Sequence, residues 1–173
     1  GQDQYDSANF SQGQGYFFGT GMKLDLSGQD EHQAARYGHG ASAHFGVGLF
    51  IDHHGDDRYG SSGPFYNGGV AWDNSVSLMI DAGTGHDTYA FDRSTGLGRA
   101  DYTSWGLFID EGGADQYQAK SGLGDSSEKS VAGFFDLEGH DSYTLPDPSI
   151  AAETRPGDGK LFFYPEGSVF VDR

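Results

Sequence analysis

Short apolar runs that end in aspartate recur along this chain, each followed by a glycine-aspartate turn and then, with one exception, by an aromatic residue. The runs are Leu24-Asp25, Leu49-Phe-Ile-Asp52, Leu78-Met-Ile-Asp81, Leu107-Phe-Ile-Asp110 and Phe134-Phe-Asp136. The turns that follow are Gly28-Gln-Asp30-Glu-His32, Gly55-Asp-Asp57-Arg-Tyr59, Gly85-His-Asp87-Thr-Tyr89, Gly113-Ala-Asp115-Gln-Tyr117 and Gly139-His-Asp141-Ser-Tyr143, with an earlier copy at Gly1-Gln-Asp3-Gln-Tyr5. His32 is the exception, standing where the other copies carry Tyr. Successive turn aspartates are 27, 27, 30, 28 and 26 residues apart. Small-residue turns lie further downstream: Gly13-Gln-Gly15, Gly38-His-Gly40, Gly68-Gly69, Gly96-Leu-Gly98 and Gly122-Leu-Gly124.

A three-part pattern kept at a near-constant period is the signature of a repeat architecture. Helices are excluded: no apolar positions follow an i, i+3, i+4, i+7 rhythm, and glycine interrupts every candidate segment. The Leu-Phe-Ile-Asp run reads as one short strand, the Tyr segment as a second, and the residues around the Gly-x-Gly turn as a third. Three short strands joined by tight turns form one coil. The predicted fold is therefore all-β, a parallel β-solenoid of about six coils with ~27 residues per coil. Equivalent residues should stack at roughly 4.8 Å, which predicts an aromatic ladder of Tyr5, Tyr59, Tyr89, Tyr117 and Tyr143 and an aliphatic-aromatic ladder from the Leu-Phe-Ile positions.

The repeats occupy residues 1–143. Residues 144–173 belong to the same domain but hold four of the five prolines, so Thr144 to Gly159 reads as an inserted loop before Val169-Phe-Val-Asp172 opens a further coil. The chain begins and ends inside a unit. Exposed ladder edges normally need caps, so we expect either a longer parent protein or ends that meet a protein partner or another copy.

Composition narrows the partners. Low hydrophobicity and a net charge of -16 would suit a disordered chain, but thirteen Phe, ten Tyr and two Trp need a place to pack. Only ten basic residues are present, scattered, which argues against nucleic acid and anionic membrane surfaces and favours cations or basic partners. Cysteine is absent, so no disulfide or thiolate site exists. No apolar stretch is long enough to span a membrane. The expected location is extracytoplasmic, with any export leader already removed.

The repeat also builds two aspartate ladders. One holds Asp25, Asp52, Asp81, Asp110 and Asp136; the other holds Asp3, Asp30, Asp57, Asp87, Asp115 and Asp141. Carboxylates stacked about 5 Å apart repel by roughly 1 kcal/mol per pair in water and ~3 kcal/mol near a protein surface. Bound cations, backbone N–H donors in the turns, or raised pKa values must compensate. Gly83-Thr followed by Gly85-His-Asp87-Thr-Tyr89 resembles the glycine-rich nonapeptide of the calcium-binding RTX β-roll proteins. That resemblance implies Ca²⁺ as cofactor and makes Asp25, Asp30, Asp52, Asp57, Asp81, Asp87, Asp110, Asp115, Asp136 and Asp141 candidate ligands. The match is about six residues in each coil, and RTX repeats run in tandem where these do not. Asp in a glycine turn also commonly accepts backbone N–H groups with no metal at all.

No catalytic residue emerges. His53, His54, His86 and His140 read as surface turn residues, and no nucleophile elbow, P-loop or His-Glu-x-x-His is present. A catalytic pair should be a local exception to the repeat, whereas these aspartates are the repeat itself. The expectation is a non-enzymatic structural or interaction module, a scaffold or adhesive surface. The alternative is a carbohydrate-binding or carbohydrate-cleaving β-helix using a groove of carboxylates and aromatics on a glycan.

Overall fold

A computed structural model describes residues 1–121 and 123–173, so the first glycine of the Gly122-Leu-Gly124 turn lies outside the described residues. The first coil runs through β1 (Gln4–Asn9), β2 (Gly15–Tyr16) and β3 (Thr20–Leu24). The second runs through β4 (Glu31–Arg36), β5 (Ser42–Ala43) and β6 (Val47–Asp52). The third has β7 (Arg58–Ser61), β8 (Ala71–Trp72) and β9 (Val76–Asp81), and the fourth β10 (Thr88–Thr95), β11 (Ala100–Asp101) and β12 (Trp105–Asp110). In the fifth, no middle strand stands among the described residues between β13 (Gln116–Ser121) and β14 (Val131–Asp136), although Ser126 bridges to Ala100. A partial last round holds β15 (Ser142–Thr144), β16 (Leu161–Phe163) and β17 (Val169–Val171).

Each strand pairs in parallel with its equivalent one coil away, giving three sheets: β1-β4-β7-β10-β13-β15, then β2-β5-β8-β11, and β3-β6-β9-β12-β14-β17. The chain is a parallel β-solenoid. It completes about five turns where the six aspartate-glycine turns predict six, because the segment after β15 leaves the coil path instead of forming a middle strand. That segment returns as β16, which pairs antiparallel with β17 and so covers the outer edge of the third sheet.

Registers confirm the repeat alignment residue by residue. Tyr59 faces Tyr89, Tyr89 faces Tyr117, and Tyr117 faces Tyr143. The rings stack with centroids 4.8–5.3 Å apart from Tyr5 through His32, Tyr59, Tyr89 and Tyr117 to Tyr143. His32 thus fills the aromatic rung that Tyr occupies in the other coils. One register departs from the sequence alignment: Gly13, not Gly15, stands opposite Gly40, since the Gly40 N–H donates to Gln12. Glycine is required at Gly40, where φ is +71° and a Cβ would press against the Leu78 carbonyl oxygen at 2.6 Å.

The apolar runs divide by the two-residue alternation of a strand. Only the middle residue of each Leu-Phe-Ile run points inward, making a buried column of Phe50, Met79, Phe108, Phe134 and Phe170 against the tyrosines. The flanking Leu and Ile residues lie on the outer face of the third sheet, so the expected Leu-Phe-Ile ladder is two ladders on opposite sides. Between the second and third sheets the chain turns through consecutive left-handed residues: Phe17-Phe18, His44-Phe45, Asp73-Asn74, Tyr102-Thr103 and Glu128-Lys129 all have φ of 49–62°. Serine ties these turns together, the Ser104 hydroxyl accepting the Ser75 N–H and the Ser130 hydroxyl accepting the Ser104 N–H.

Candidate metal centre

The two aspartate ladders meet inside one corner of the solenoid. In each coil the last strand residue, such as Asp81 of β9, points inward by the same alternation that buries Met79. A short turn later the glycine-turn aspartate also points inward, two residues before the stacked Tyr. Asp30, Asp52, Asp57, Asp81, Asp87, Asp110, Asp115 and Asp136 are all buried.

The glycine-turn aspartates are already committed to the backbone. One oxygen of Asp30 accepts the N–H of Asp3 at 2.6 Å, Asp57 that of Asp30 at 2.6 Å, and Asp87 that of Asp57 at 2.6 Å. Asp115 caps Asp87 at 2.7 Å and Asp141 caps Asp115 at 2.7 Å. Each carboxylate therefore clips its own coil to the one before. The hydrogen-bonding role expected of an aspartate in such a turn is present. It uses one oxygen of each pair, however. The second oxygens of Asp30, Asp57, Asp115 and Asp141 are buried without a hydrogen-bond partner, as is one oxygen of Asp136.

The strand-end aspartates are bound by the aromatic ladder instead. The Tyr89 hydroxyl donates to Asp81 at 2.7 Å or to Asp110 at 2.6 Å, and Tyr117 reaches Asp110 at 2.9 Å. Tyr143 contacts both Asp136 and Asp172. Burial, reinforced by the neighbouring carboxylates, holds the Tyr89 and Tyr117 hydroxyls well above the usual phenol range, so they remain protonated donors.

Cross-linking of the ladders produces three carboxylate triads: Asp81, Asp87 and Asp110; Asp110, Asp115 and Asp136; and Asp136, Asp141 and Asp172. Within each, one oxygen per residue lies within 4.8 Å of the others. Adjacent triads share Asp110 and Asp136, so the three form a continuous file. Burial pushes Asp57 up to about 6 and Asp115 up to about 8, the latter helped by Asp110. Asp81, Asp87, Asp110, Asp136, Asp141 and Asp172 are raised by the same cause.

The first two coils differ. Lys23 takes the core position that Phe50 fills one coil later, and its ammonium lies 3.4 Å from Asp25 and 3.3 Å from Nδ1 of His32. Nε2 of His32 lies 3.3 Å from Asp52, both side chains fully buried. Burial would raise Asp25, but the Tyr5 hydroxyl and the Lys23 ammonium hold it below the ordinary carboxylate value. The chain thus supplies its own positive charge in the coils that precede the file. Among the described residues no Lys, Arg or His forms an ion pair with any member of the three triads, leaving the file's charge to protons or an added cation.

The oxygen-only donor set, the spacing and the unpartnered oxygens fit a hard divalent cation. Ca²⁺ sits 2.3–2.6 Å from carboxylate oxygens, so two oxygens sharing one ion lie at most about 5.2 Å apart, and the 4.8 Å spread of each triad falls within that reach. Of the sequence-predicted ligands, Asp81, Asp87, Asp110, Asp115, Asp136 and Asp141 are brought together in triads, and Asp25 and Asp52 close around His32. Asp30 and Asp57 belong to no such group and serve the backbone. Sequence reasoning missed Asp172, Lys23 and His32 as site residues. All three carry a signal, since they occupy repeat positions: Asp172 ends an apolar run, Lys23 replaces its Phe, and His32 replaces the Tyr. His53, His54, His86 and His140 are exposed, as expected of turn residues.

The fold and site define an acidic parallel β-solenoid with an internal carboxylate file. Comparison with protein-family models, with curated proteins and with solved structures finds no match. Among the described residues, no helix is long and apolar enough to cross a membrane.

Proposed function

We propose that this chain is a non-enzymatic structural module, a solenoid scaffold or spacer of an extracytoplasmic protein or complex, whose coils are clipped together by Ca²⁺ along the carboxylate file. The observation that carries this reading is the inward orientation of the repeat aspartates. Hydrolysis of a glycan needs two carboxyl groups about 5–9.5 Å apart and open to the sugar, whereas these are sealed in the interior and half committed to backbone capping. Three divalent ions would bring six positive charges to the seven aspartates of the three triads. The likeness of the turns to RTX repeats points the same way, and a weak extracellular-type calcium site, with Kd of about 0.1–1 mM, suits a role outside the cytoplasm.

Calorimetric melting decides the matter. The melting temperature should rise in ~1 mM Ca²⁺ over EDTA, because binding to the folded state alone stabilises it. An equal response to Mg²⁺ would remove the preference for calcium. No response to any divalent ion would leave a proton-compensated file and end the calcium reading. Incubation with soluble polysaccharides should shorten none of them.

A further inference from the structure

We infer that the outer face of the third sheet is a self-association surface that pairs two copies of this chain face to face. This goes beyond the scaffold reading and does not depend on the cation file, which lies on the opposite, inner side of the same strands.

The outward positions of this sheet are almost wholly apolar. Leu49, Leu78 and Leu107 form its central row, with Ile51, Ile80 and Ile109 beside them. Exposed Met22 and Leu24 extend it at one end, and Leu161 and Phe163 of the antiparallel strand β16 at the other. Where Gly133 interrupts the central row, the Phe135 ring lies over the gap, 2.5 Å from where a Cβ would stand, so the face stays filled. Trp105 is 60% exposed on the same face. Thr20 is its single polar side chain, and it carries no charge although the chain as a whole has a net charge of -16.

Seven strands at about 4.8 Å spacing, each showing two or three outward residues, give a flat area of roughly 500–600 Å². That is at the top of the range for the largest apolar patch on a typical monomer. Two copies would bury about 1,000–1,200 Å² together, which reaches the threshold for a specific interface. The occupant follows from charge and periodicity. For a protein this acidic, this face lets two copies meet without bringing carboxylates together. Its rungs also repeat at one spacing, so the surface is complementary to itself across a two-fold axis, as two β-sheets pack about 10 Å apart in a sandwich. A surface without Lys or Arg does not suit an anionic membrane.

Sedimentation equilibrium at ~100 µM protein tests this. The wild-type chain should behave as a dimer, twice 18.6 kDa, and more completely in 0.5 M NaCl than at low salt, because screening weakens repulsion between the acidic flanks. The double variant L78K/L107K should be monomeric with unchanged circular dichroism. Should that variant fail to fold, the absence of cysteine allows a second route: a bulky maleimide on L78C should block dimerisation, while the same label on Q116C, on the outer face of the first sheet, should not. A monomeric wild type at both salt concentrations overturns the inference. So does a dimer that survives the changes at Leu78 and Leu107, which would place the contact elsewhere, including at the solenoid ends.

Discussion

The Lys23 ammonium lies 3.4 Å from the Asp25 carboxylate, reaching it from a position that Phe50 fills with an aromatic ring one coil later. Both side chains are largely screened from solvent. At this end of the corner a positive charge is supplied from within, whereas among the described residues the three triads further along have no such partner. Replacing Lys23 by Met keeps the column filled but removes that charge. Taking one partner from a fully buried pair costs about 3–5 kcal/mol and an exposed pair is worth ~1 kcal/mol or less, so K23M should lose about 1–3 kcal/mol. Urea unfolding in EDTA measures it, and Ca²⁺ should recover part of the loss. A variant as stable as the wild type would show that the ammonium compensates nothing.

Asp115 separates the backbone and charge roles. Its carboxylate accepts the Asp87 N–H at 2.7 Å while its other oxygen has no partner. In D115N the side-chain carbonyl can still accept that N–H, but the charge is gone. In D115A the N–H is left buried and unsatisfied, at a cost of about 1–3 kcal/mol. Chemical denaturation in EDTA at pH 8 should therefore rank D115N at or above wild type and D115A below it. In calcium the order of D115N and wild type should reverse.

Tyr89 sits between two coils, its hydroxyl 2.7 Å from Asp81 and 2.6 Å from Asp110. Y89F preserves the stack on Tyr117 at 4.8 Å and deletes only the hydroxyl. Hydrogen bonds to charged groups contribute about 1.5–3 kcal/mol, so thermal melting should drop by several degrees. A smaller change would mean that the aspartates find other donors.

The metal-free protein should lose stability as pH rises. Asp115 is pushed up to about 8 and Asp57 to about 6 in the folded state, chiefly by burial, so the folded chain holds protons that the unfolded chain releases near pH 4. With fewer protons bound to the unfolded state, unfolding becomes easier through this window. The decline should begin near pH 4, ease as Asp57 ionises near pH 6, and continue past pH 8, because burial pushes Asp136 up to about 9. Asp25, lowered by its partners, acts oppositely and weakens the fold below pH 4. Calcium must displace these protons, so its stabilising effect should be larger at pH 8 than at pH 5. Melting scans in EDTA and in calcium across pH 4–9 would reveal both trends; a flat EDTA profile would contradict them.

Much of this architecture can be read without coordinates because a parallel solenoid maps sequence period directly onto space. Residues one period apart, such as Tyr89 and Tyr117, must lie on neighbouring rungs once the chain coils, and the registers place them there. The strand positions, the tyrosine stack and the existence of two aspartate ladders all follow from that single mapping. The last round does not, since the period lapses between Tyr143 and Val169 and β16 joins by antiparallel pairing that no repeat encodes.

What the period leaves open is how different positions within one coil face each other. Leu49, Phe50 and Ile51 are all apolar, so alternation separates them into two faces without saying which is interior. Closure of the coil settles it, turning Phe50 in and the leucine and isoleucine rows out. The same closure brings Asp110 of one ladder against Asp115 of the other and aims Lys23 at Asp25. It also drives Phe17 and Phe18 into left-handed turns that their local preferences oppose. Stacking along the solenoid is a consequence of repetition and is written in the chain; contacts across its section depend on how three strands and three corners close, and arise only in the folded coil.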